Sequence, residues 1–384
     1  MLKKSLILAG LISVFLVAMW GCGPKPVPPQ SVLDTPDNHY NQGLRELDRG
    51  NVSEAEVEFN KAIALDPNYA EGYAGMALVW ANRQDFTKAH AFADRALDKN
   101  KNSLDARITK GRIYVAEHKG DDWLKDAVKE FDRAQEINPN SDKPAYYKGI
   151  AYKNAYEFRN AEDAFKSVVD KKGDLAGKAN DQWILVQKIV RAAPGTKVGA
   201  KIALIPEIDR ADLAVLFIEE LKLLEIIDKK RPKEYDTSFQ APDDPTKMQT
   251  SQTTQMEEIT DIDNHWAKNW IKDIVKARGM DVYPDHTFRP DEKITRSNYA
   301  MMIQNILIMA TGDESLATKY IGTQSRFPDV NPSHFAYNAV CLAVDRGIMS
   351  ADKMTGAFHM NDTVSGADAL LIIRDFQNAL RMTF

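Results

Sequence analysis

The feature that most constrains this 384-residue chain is an alanine that recurs at an almost constant interval. Successive alanines are 34, 38 and 34 residues apart, at Ala55, Ala89, Ala127 and Ala161. Four residues later, three units carry an aromatic ring and the second carries a small residue, at Phe59, Ala93, Phe131 and Phe165. This period is typical of helix pairs that stack into a solenoid, because one pair cannot bury its own apolar face.

Small residues and prolines recur with the same period. Glycines mark the first expected helix of three units, at Gly43, Gly111 and Gly149, and Pro67 and Pro139 close the first and third units. Proline stops a helix, and small residues let two helices approach closely. The pattern resembles the tetratricopeptide repeat, which implies about four helix pairs over residues 37–173. The longer unit is expected to hold its four extra residues in a turn near 118–123.

The resemblance to the tetratricopeptide repeat also implies a concave surface that binds a peptide or a partner protein. The candidate groove residues on the first helices are Asn41, Arg45, Tyr73, Lys110, Tyr114, Lys148 and Tyr152. Packing between helices is the alternative interpretation, above all for the tyrosines. The sequence names no ligand for this groove.

The amino terminus has the layout of an export signal over residues 1–21. Lys3 and Lys4 precede an uncharged run from 5 to 20, which is shorter than the roughly 20 residues that a spanning helix needs. The junction Met19-Trp20-Gly21-Cys22 resembles the lipobox of bacterial lipoproteins, although Trp20 departs from it. The resemblance implies a lipid on Cys22. An ordinary signal peptide with an incidental cysteine is the alternative.

A proline-rich stretch follows Cys22. Residues 24–29 contain four prolines, which favour the extended polyproline conformation of a semi-rigid spacer. Residues 22–36 are therefore expected to act as a tether between membrane and domain. Position 23 is Gly and not Asp, which resembles lipoproteins sorted to the outer membrane and implies its periplasmic face as the location.

A second set of repeats occupies the carboxy-terminal half. Three helix starts begin with a residue that caps helices and have a polar residue three positions later, at Asp209, Thr295 and Ser365. Residues 261–267 recur as 327–336, and each leads to a helix expected to end at Arg-Gly, where Gly279 and Gly347 suit a left-handed terminus. Between these elements the middle copy has the loop 282–290, Val-Tyr-Pro-Asp-His-Thr-Phe-Arg-Pro.

These motifs resemble the S-layer homology repeat, most closely over residues 261–310. The copy at 325–384 has Gly366 where the motif has arginine, and the copy at 174–230 keeps Arg210 but lacks the loop; residues 231–260 are polar and predict a flexible linker. The resemblance implies a helical, pseudo-threefold domain, so the whole chain is expected to be all-α.

The S-layer homology resemblance also implies binding of acidic cell-wall glycans. An arginine just inside a capped helix start suits an anion, and its planar group suits a carboxylate. The candidate glycan-binding residues are Arg296 and Arg210, with Trp266, Tyr283 and Asp263 beside them. The alternatives are core packing for Trp266 and a structural salt bridge to a neighbouring acid for Arg296.

Composition and motifs exclude other classes of function. The formal net charge of −5 provides no basic face for nucleic acid, and two cysteines, Cys22 and Cys341, support neither a disulfide framework nor a zinc cluster. Cys341 is expected in the core. Catalytic and cofactor motifs are absent, so we expect no enzyme, cofactor or metal. The prediction is an envelope lipoprotein that binds wall glycan and a protein; the alternative is an assembly or secretion accessory lipoprotein acting only through protein contacts. A glycan-cleaving enzyme is disfavoured.

Overall fold

The computed structural model describes residues 26–230 and 259–383, so the signal segment, Cys22 and nearly all of the 231–260 linker lie outside it. The described residues contain α-helices, one 3₁₀ turn and isolated bridges but no strand, which confirms the all-α prediction. The chain forms two compact units, Met1–Trp183 and Ile184–Phe384. No helix within the described ranges combines the length and the apolar character needed to cross a membrane.

The first unit contains four helix pairs in chain order. They are α1 Pro36–Asp48, α2 Val52–Leu65, α3 Ala70–Asn82, α4 Phe86–Lys99, α5 Leu104–Glu117, α6 Trp123–Ile137, α7 Lys143–Asn154 and α8 Phe158–Lys171. The first helices of neighbouring pairs also contact each other, as expected for stacked repeats. Five residues, 118–122, separate α5 from α6, whereas three residues separate the helices of each other pair. The turn of the third unit is therefore two residues longer than the others, so it holds two of the four extra residues and not all four as was expected.

Each phenylalanine of the repeat packs on a glycine of the same pair. A Cβ placed on Gly111 would lie 2.5 Å from a ring carbon of Phe131, and the Gly149 position lies 2.7 Å from Phe165 in the same sense. The second pair has Ala93 in place of the phenylalanine, and it also lacks the glycine, since Ala77 stands there; both alanines are fully buried. The phenylalanine and the glycine that makes room for its ring are thus replaced together, each by alanine.

The second unit contains the remaining helices of the chain. They are α9 Ala176–Ala192, in which the division between units falls, α10 Lys197–Ile202, α11 Arg210–Glu219, α12 Leu223–Lys230, α13 Lys268–Lys276, α14 Arg296–Thr311, α15 Tyr337–Asp345 and α16 Gly366–Thr383. The 3₁₀ turn Glu314–Ala317 follows α14. The three predicted helix starts are those of α11, α14 and α16.

A closed ring of backbone hydrogen bonds joins the three copies immediately before these helix starts. The Ile208 N–H donates to the Val364 carbonyl (2.9 Å), the Val364 N–H to Ile294 (3.0 Å) and the Ile294 N–H to Ile208 (3.1 Å). All three side chains are buried. The ring is the centre of the predicted pseudo-threefold arrangement, and it includes the degenerate first copy.

The helix starts are capped as the sequence predicts, with one difference. In the first copy Asp209 and Asp212 form a reciprocal capping box. In the other copies only the forward bond is present, from the Asn298 N–H to Thr295 and from the Asp368 N–H to Ser365. Neither of these two later residues returns a side-chain bond to the backbone of its cap.

The two Arg-Gly helix ends differ from each other. Gly347 has φ +66° and is left-handed, as expected, but in the middle copy Arg278 adopts that conformation (φ +57°) instead of Gly279. A Cβ on Gly279 would lie 2.5 Å from a methyl carbon of Leu223. The expectation that Gly279 adopts the left-handed conformation was therefore wrong; a side chain at this position would instead require the ends of Leu223 and Ile274 to shift.

Candidate functional site

Arg210, at the start of α11, holds the loop of the middle copy. Its Nε donates to the Phe288 carbonyl (2.8 Å) and its Nη2 to the Asp281 carbonyl (2.9 Å). The guanidinium lies 4.6 Å from the centre of the Phe288 ring, and the residue is only 7% exposed. Arg210 thus connects the first copy to the second.

Arg296, at the start of α14, repeats this arrangement one copy later. Its Nε donates to the Phe358 carbonyl (2.8 Å) and its Nη2 to the Ser350 carbonyl (2.7 Å), with the guanidinium 4.6 Å from the Phe358 ring centre. These partners are backbone carbonyls, and no acid among the residues that the structure describes forms a salt bridge with Arg296, so the salt-bridge alternative is not supported there. Arg296 is more exposed than Arg210, and its Nη1 has no hydrogen-bond acceptor among the residues that the structure describes.

The third copy has Gly366 at the equivalent position, and its neighbour explains why. A Cβ on Gly366 would overlap the carbonyl oxygen of Ile202, at the end of α10 in the first copy. The Gly366 N–H instead donates to Ile205 (2.9 Å). The first copy has no loop for an arginine to hold, and its backbone fills the space that an arginine would need. The missing loop of the first copy and the missing arginine of the third copy therefore belong to the same contact.

Two aspartates that sequence reasoning did not single out fix the loops. Asp261 accepts from the Phe288 N–H (2.8 Å) and the Arg289 N–H (2.6 Å), and Asp329 accepts from Phe358 (2.8 Å) and His359 (2.6 Å). Burial opposes ionisation of Asp329, but these backbone donors hold the pKa of its carboxyl below the usual value. An aspartate at the same place in both opening segments was the available signal.

The opening segments also present aromatic side chains to solvent. Trp266 is 56% exposed, and Phe335, at the equivalent position of the last copy, is 75% exposed. Each aromatic residue lies between a histidine and an alanine. The backbone N–H of the alanine donates a hydrogen bond to Nδ1 of the histidine, at 3.2 Å in the middle copy and 3.1 Å in the last copy. Core packing of Trp266 is therefore wrong, and Phe335 is a second residue of the same kind.

The other predicted glycan residues lie in different surroundings. The Tyr283 ring lies beneath the guanidinium of Arg289 (3.9 Å) and near that of Arg210 (4.9 Å), and its hydroxyl donates to Glu292 (2.9 Å). Asp263 is exposed and paired with Lys268 (2.9 Å). The structure thus brings Tyr283 to Arg210. No described bond or ring contact joins Arg296 to the other four predicted residues.

The predicted groove residues of the first unit divide into three environments. Asn41 and Arg45 are exposed, whereas Tyr114 and Tyr152 are half-buried. Tyr73 is only 2% exposed and its hydroxyl donates to the Pro67 carbonyl (3.1 Å), so the packing alternative applies to it. Its ring is enclosed between helices and is not available to a ligand in the groove.

The two predicted lysines pair with acids of the preceding helix. Lys110 Nζ donates to Asp94 (2.6 Å) and Lys148 Nζ to Asp132 (2.7 Å). A cavity of about 330 Å³ lies among α6, α7 and α8, lined in part by Asp132, Lys148, Tyr152, Asn160 and Asp163. It unites two of the predicted groove residues.

The described residues show no group of three His, Cys, Asp or Glu side chains that could hold a metal ion. Cys341 is buried, as expected, and burial raises the pKa of its thiol.

The comparisons with known proteins identify the second set of repeats. The family profile of the S-layer homology domain matches residues 258–300 and 326–370, which correspond to the middle and last copies. The match does not include the first copy at 174–230. None of the curated proteins compared with the chain matches it.

Two solved structures are similar to part of the chain. A thermophilic TPR protein of Thermus thermophilus is 15% identical, covers 50% of this chain and 94% of its own, and has a TM-score of 0.36. PilF of Pseudomonas aeruginosa is 17% identical, covers 51% and 91%, and has a TM-score of 0.31. The described part of the chain thus contains four helix pairs, followed by two stretches that match the S-layer homology domain.

Proposed function

We propose that this chain is a non-enzymatic lipoprotein of the cell envelope. Its S-layer homology repeats bind wall polysaccharide or peptidoglycan, and its helix-pair repeats bind a partner protein. The match of the S-layer homology profile to two of the three copies carries the wall-binding part.

The exposed aromatic rings are the first candidates for contact with sugar. Trp266 and Phe335 present apolar faces to solvent at equivalent positions of two copies. An exposed aromatic ring can stack on the apolar face of a pyranose, which is of matching size. Asp263, which is exposed and paired with Lys268, is a candidate hydrogen-bond acceptor for a sugar hydroxyl.

Arg296 is the candidate for the acidic group of the glycan. Its Nε and Nη2 hold backbone carbonyls, which fixes the guanidinium in place, while Nη1 keeps its two N–H groups for a carboxylate. Arg210 ranks second because it is more deeply buried, and Tyr283 is held beside it.

The protein-binding part rests on the first unit. Lys148 and Tyr152 line the cavity among α6, α7 and α8, with Lys110 and Tyr114 one repeat earlier. Asn41 and Arg45 are exposed on α1, the first helix of the first pair, and are further candidates for contact with a partner. Such a groove offers polar and aromatic contacts to an extended segment of a partner.

The membrane-anchoring part rests on the sequence alone. A lipid on Cys22 and the tether after it would hold both units at a membrane, at the periplasmic face of the outer membrane if the residue after the cysteine sorts the protein as expected.

Sedimentation of the full chain with isolated cell wall tests the glycan-binding proposal. Trp266→Ala combined with Phe335→Ala is expected to lower the bound fraction severalfold. The matched control is Met354→Ala, which removes a side chain that is 96% exposed in the same unit. Equal binding by the parent protein, the double variant and the control would show that the aromatic rings do not contact the glycan.

The accessory-lipoprotein alternative has one observation in its favour. Arg210 and Arg296 both hold neighbouring backbone, so the motif arginine has a structural function without any glycan. In that case the S-layer homology repeats are only a scaffold, and crosslinking in cells captures envelope proteins but no glycan. Capture of glycan alone would contradict this alternative.

A further inference from the structure

His39 of α1 lies between two carboxylates. Its Nδ1 is 2.5 Å from Glu58 Oε2 and its Nε2 is 2.7 Å from Asp34 Oδ1. A neutral imidazole has one N–H donor and one acceptor, so it can donate to only one of the two carboxylates. Only the imidazolium completes both hydrogen bonds.

The third helix pair has the equivalent contact to glutamate, made by a cation that does not titrate. Arg107 stands four residues before Gly111, as His39 stands four before Gly43. Arg107 Nη1 donates to Glu130 Oε2 at 2.8 Å. Glu58 and Glu130 in turn share one position of the repeat and are both buried. The first pair therefore contacts this buried glutamate through a histidine, whose charge depends on pH, whereas the third pair uses an arginine, which is always charged.

The charged groups that face His39 come from two directions. Asp34 belongs to the segment before α1, while Glu58 and Lys61 belong to α2, with Lys61 Nζ 2.8 Å from Glu58 Oε1. Burial lowers the pKa of His39, but the hydrogen bonds to Glu58 and Asp34 more than compensate and raise it above the usual value.

Asp34 connects residues 26–34 to the first helix pair through His39. The other described contacts of this segment with the helices are few: the Val27 N–H donates to the Ala64 carbonyl (2.8 Å), and Asn38 donates to the Leu33 carbonyl (2.8 Å). Its apolar side chains contribute little, because Val32 is 94% and Leu33 74% exposed. The charged contact is thus a large part of what holds the segment.

We propose that His39 is a pH-sensitive latch, which holds residues 26–34 on the first helix pair when it is protonated and releases them when it is neutral. Because the folded pKa is raised, the contribution is fully present below the usual histidine value of about 6.5 and is lost as the pH rises through the folded value. Release would lengthen the free tether by nine residues, or about 30 Å at roughly 3.3 Å per extended residue. This consequence for the tether rests on the proposed lipid at Cys22; the latch does not.

Distance measurement between two spin labels tests the latch. We would label Val32→Cys in the segment and Val57→Cys on α2, both exposed positions, in the full chain carrying Cys22→Ser; the remaining cysteine, Cys341, is buried. At pH 5.5 one narrow distance is expected. At pH 8.5 at least half of the molecules are expected to show a broad, longer distribution.

Two variants make the result specific to His39. His39→Arg copies the third pair and is expected to keep the narrow distance at both pH values, whereas His39→Ala is expected to give the broad distribution at both; circular dichroism confirms helix content. An unchanged narrow distance in the parent protein at pH 8.5 would overturn the latch, as would the same pH response in His39→Arg. Neither readout depends on wall binding.

Discussion

Gly366 lies against the backbone of Ile202, so closely that a Cβ at position 366 would overlap the Ile202 carbonyl oxygen. This contact joins the last of the three copies to the first. At the other two contacts between copies, Arg210 and Arg296 each hold a loop. The ring of three copies can close here because the last copy has glycine in place of the arginine and the first copy lacks the loop.

Gly366→Ala is therefore expected to destabilise the second unit. The neighbouring atoms are backbone and cannot move aside as a side chain would, so we expect a loss of about 1–3 kcal/mol in the free energy of unfolding. Hydrogen exchange of peptides from residues 184–384 at increasing urea measures it. The control is Gly195→Ala in the same unit, where a Cβ would make only an ordinary contact, 3.6 Å from Glu220, so alanine should be neutral or stabilising by up to about 1 kcal/mol. A stable Gly366→Ala protein would contradict the closed ring.

Arg210→Gln and Arg296→Gln are a matched pair. Each leaves two backbone carbonyls without their donors, so both should lower the unfolding free energy of the second unit, by about 2–3 kcal/mol. Because Arg296 is the first candidate for glycan contact and Arg210 the second, Arg296→Gln should lower wall binding severalfold, and more than Arg210→Gln, in conditions where both variants are folded. Unchanged binding by both folded variants would assign both arginines to structure alone.

The pH dependence of the second unit should contain a contribution from Asp212. Burial, with the neighbouring charge of Asp209, raises the pKa of Asp212 to about 6. A raised carboxyl pKa favours the protonated fold, so this contribution is present below about pH 4 and is lost as the pH rises through about 6.

Asp212→Asn isolates that contribution. Between pH 4 and 7 the parent protein should lose about 1–3 kcal/mol relative to the variant, because each pKa unit corresponds to about 1.4 kcal/mol. Urea titrations of the second unit at several pH values measure the difference. Parallel pH profiles for the two proteins would show that Asp212 ionises normally in the fold.

The exchange of glycine and phenylalanine in the first unit gives a double-mutant prediction. Gly111→Ala should be destabilising by about 1–3 kcal/mol because its Cβ meets the Phe131 ring. In the Phe131→Ala background that clash is gone, so the same change should be neutral or stabilising, as Ala77 with Ala93 suggests. Additive effects in urea denaturation would contradict the pairing.

The sequence predicted the elements of the fold well because their signals are local. The alanine period, the capping residues at 209, 295 and 365, and the opening segments all depend on side chains near one another in the chain. They located the helix pairs, the three helix starts and the two copies that the S-layer homology profile matches.

The contacts between copies could not be predicted in the same way. Arg296 bonds to the carbonyls of Phe358 and Ser350, and a carbonyl has no side-chain signature. Gly366 looked like a lost binding residue because its neighbour, Ile202, lies 164 positions earlier. Trp266 was ambiguous because the sequence does not show which side of a short turn faces solvent.

The most direct test of the wall-binding claim is sedimentation of the full chain with isolated cell wall, before and after its acidic polysaccharide is removed. We predict that the chain sediments with intact wall and that removing the polysaccharide releases most of it, because a fixed Arg296 favours a carboxylate ligand. Binding retained after removal would assign the ligand to peptidoglycan. A chain that stays in the supernatant with both preparations would contradict the claim.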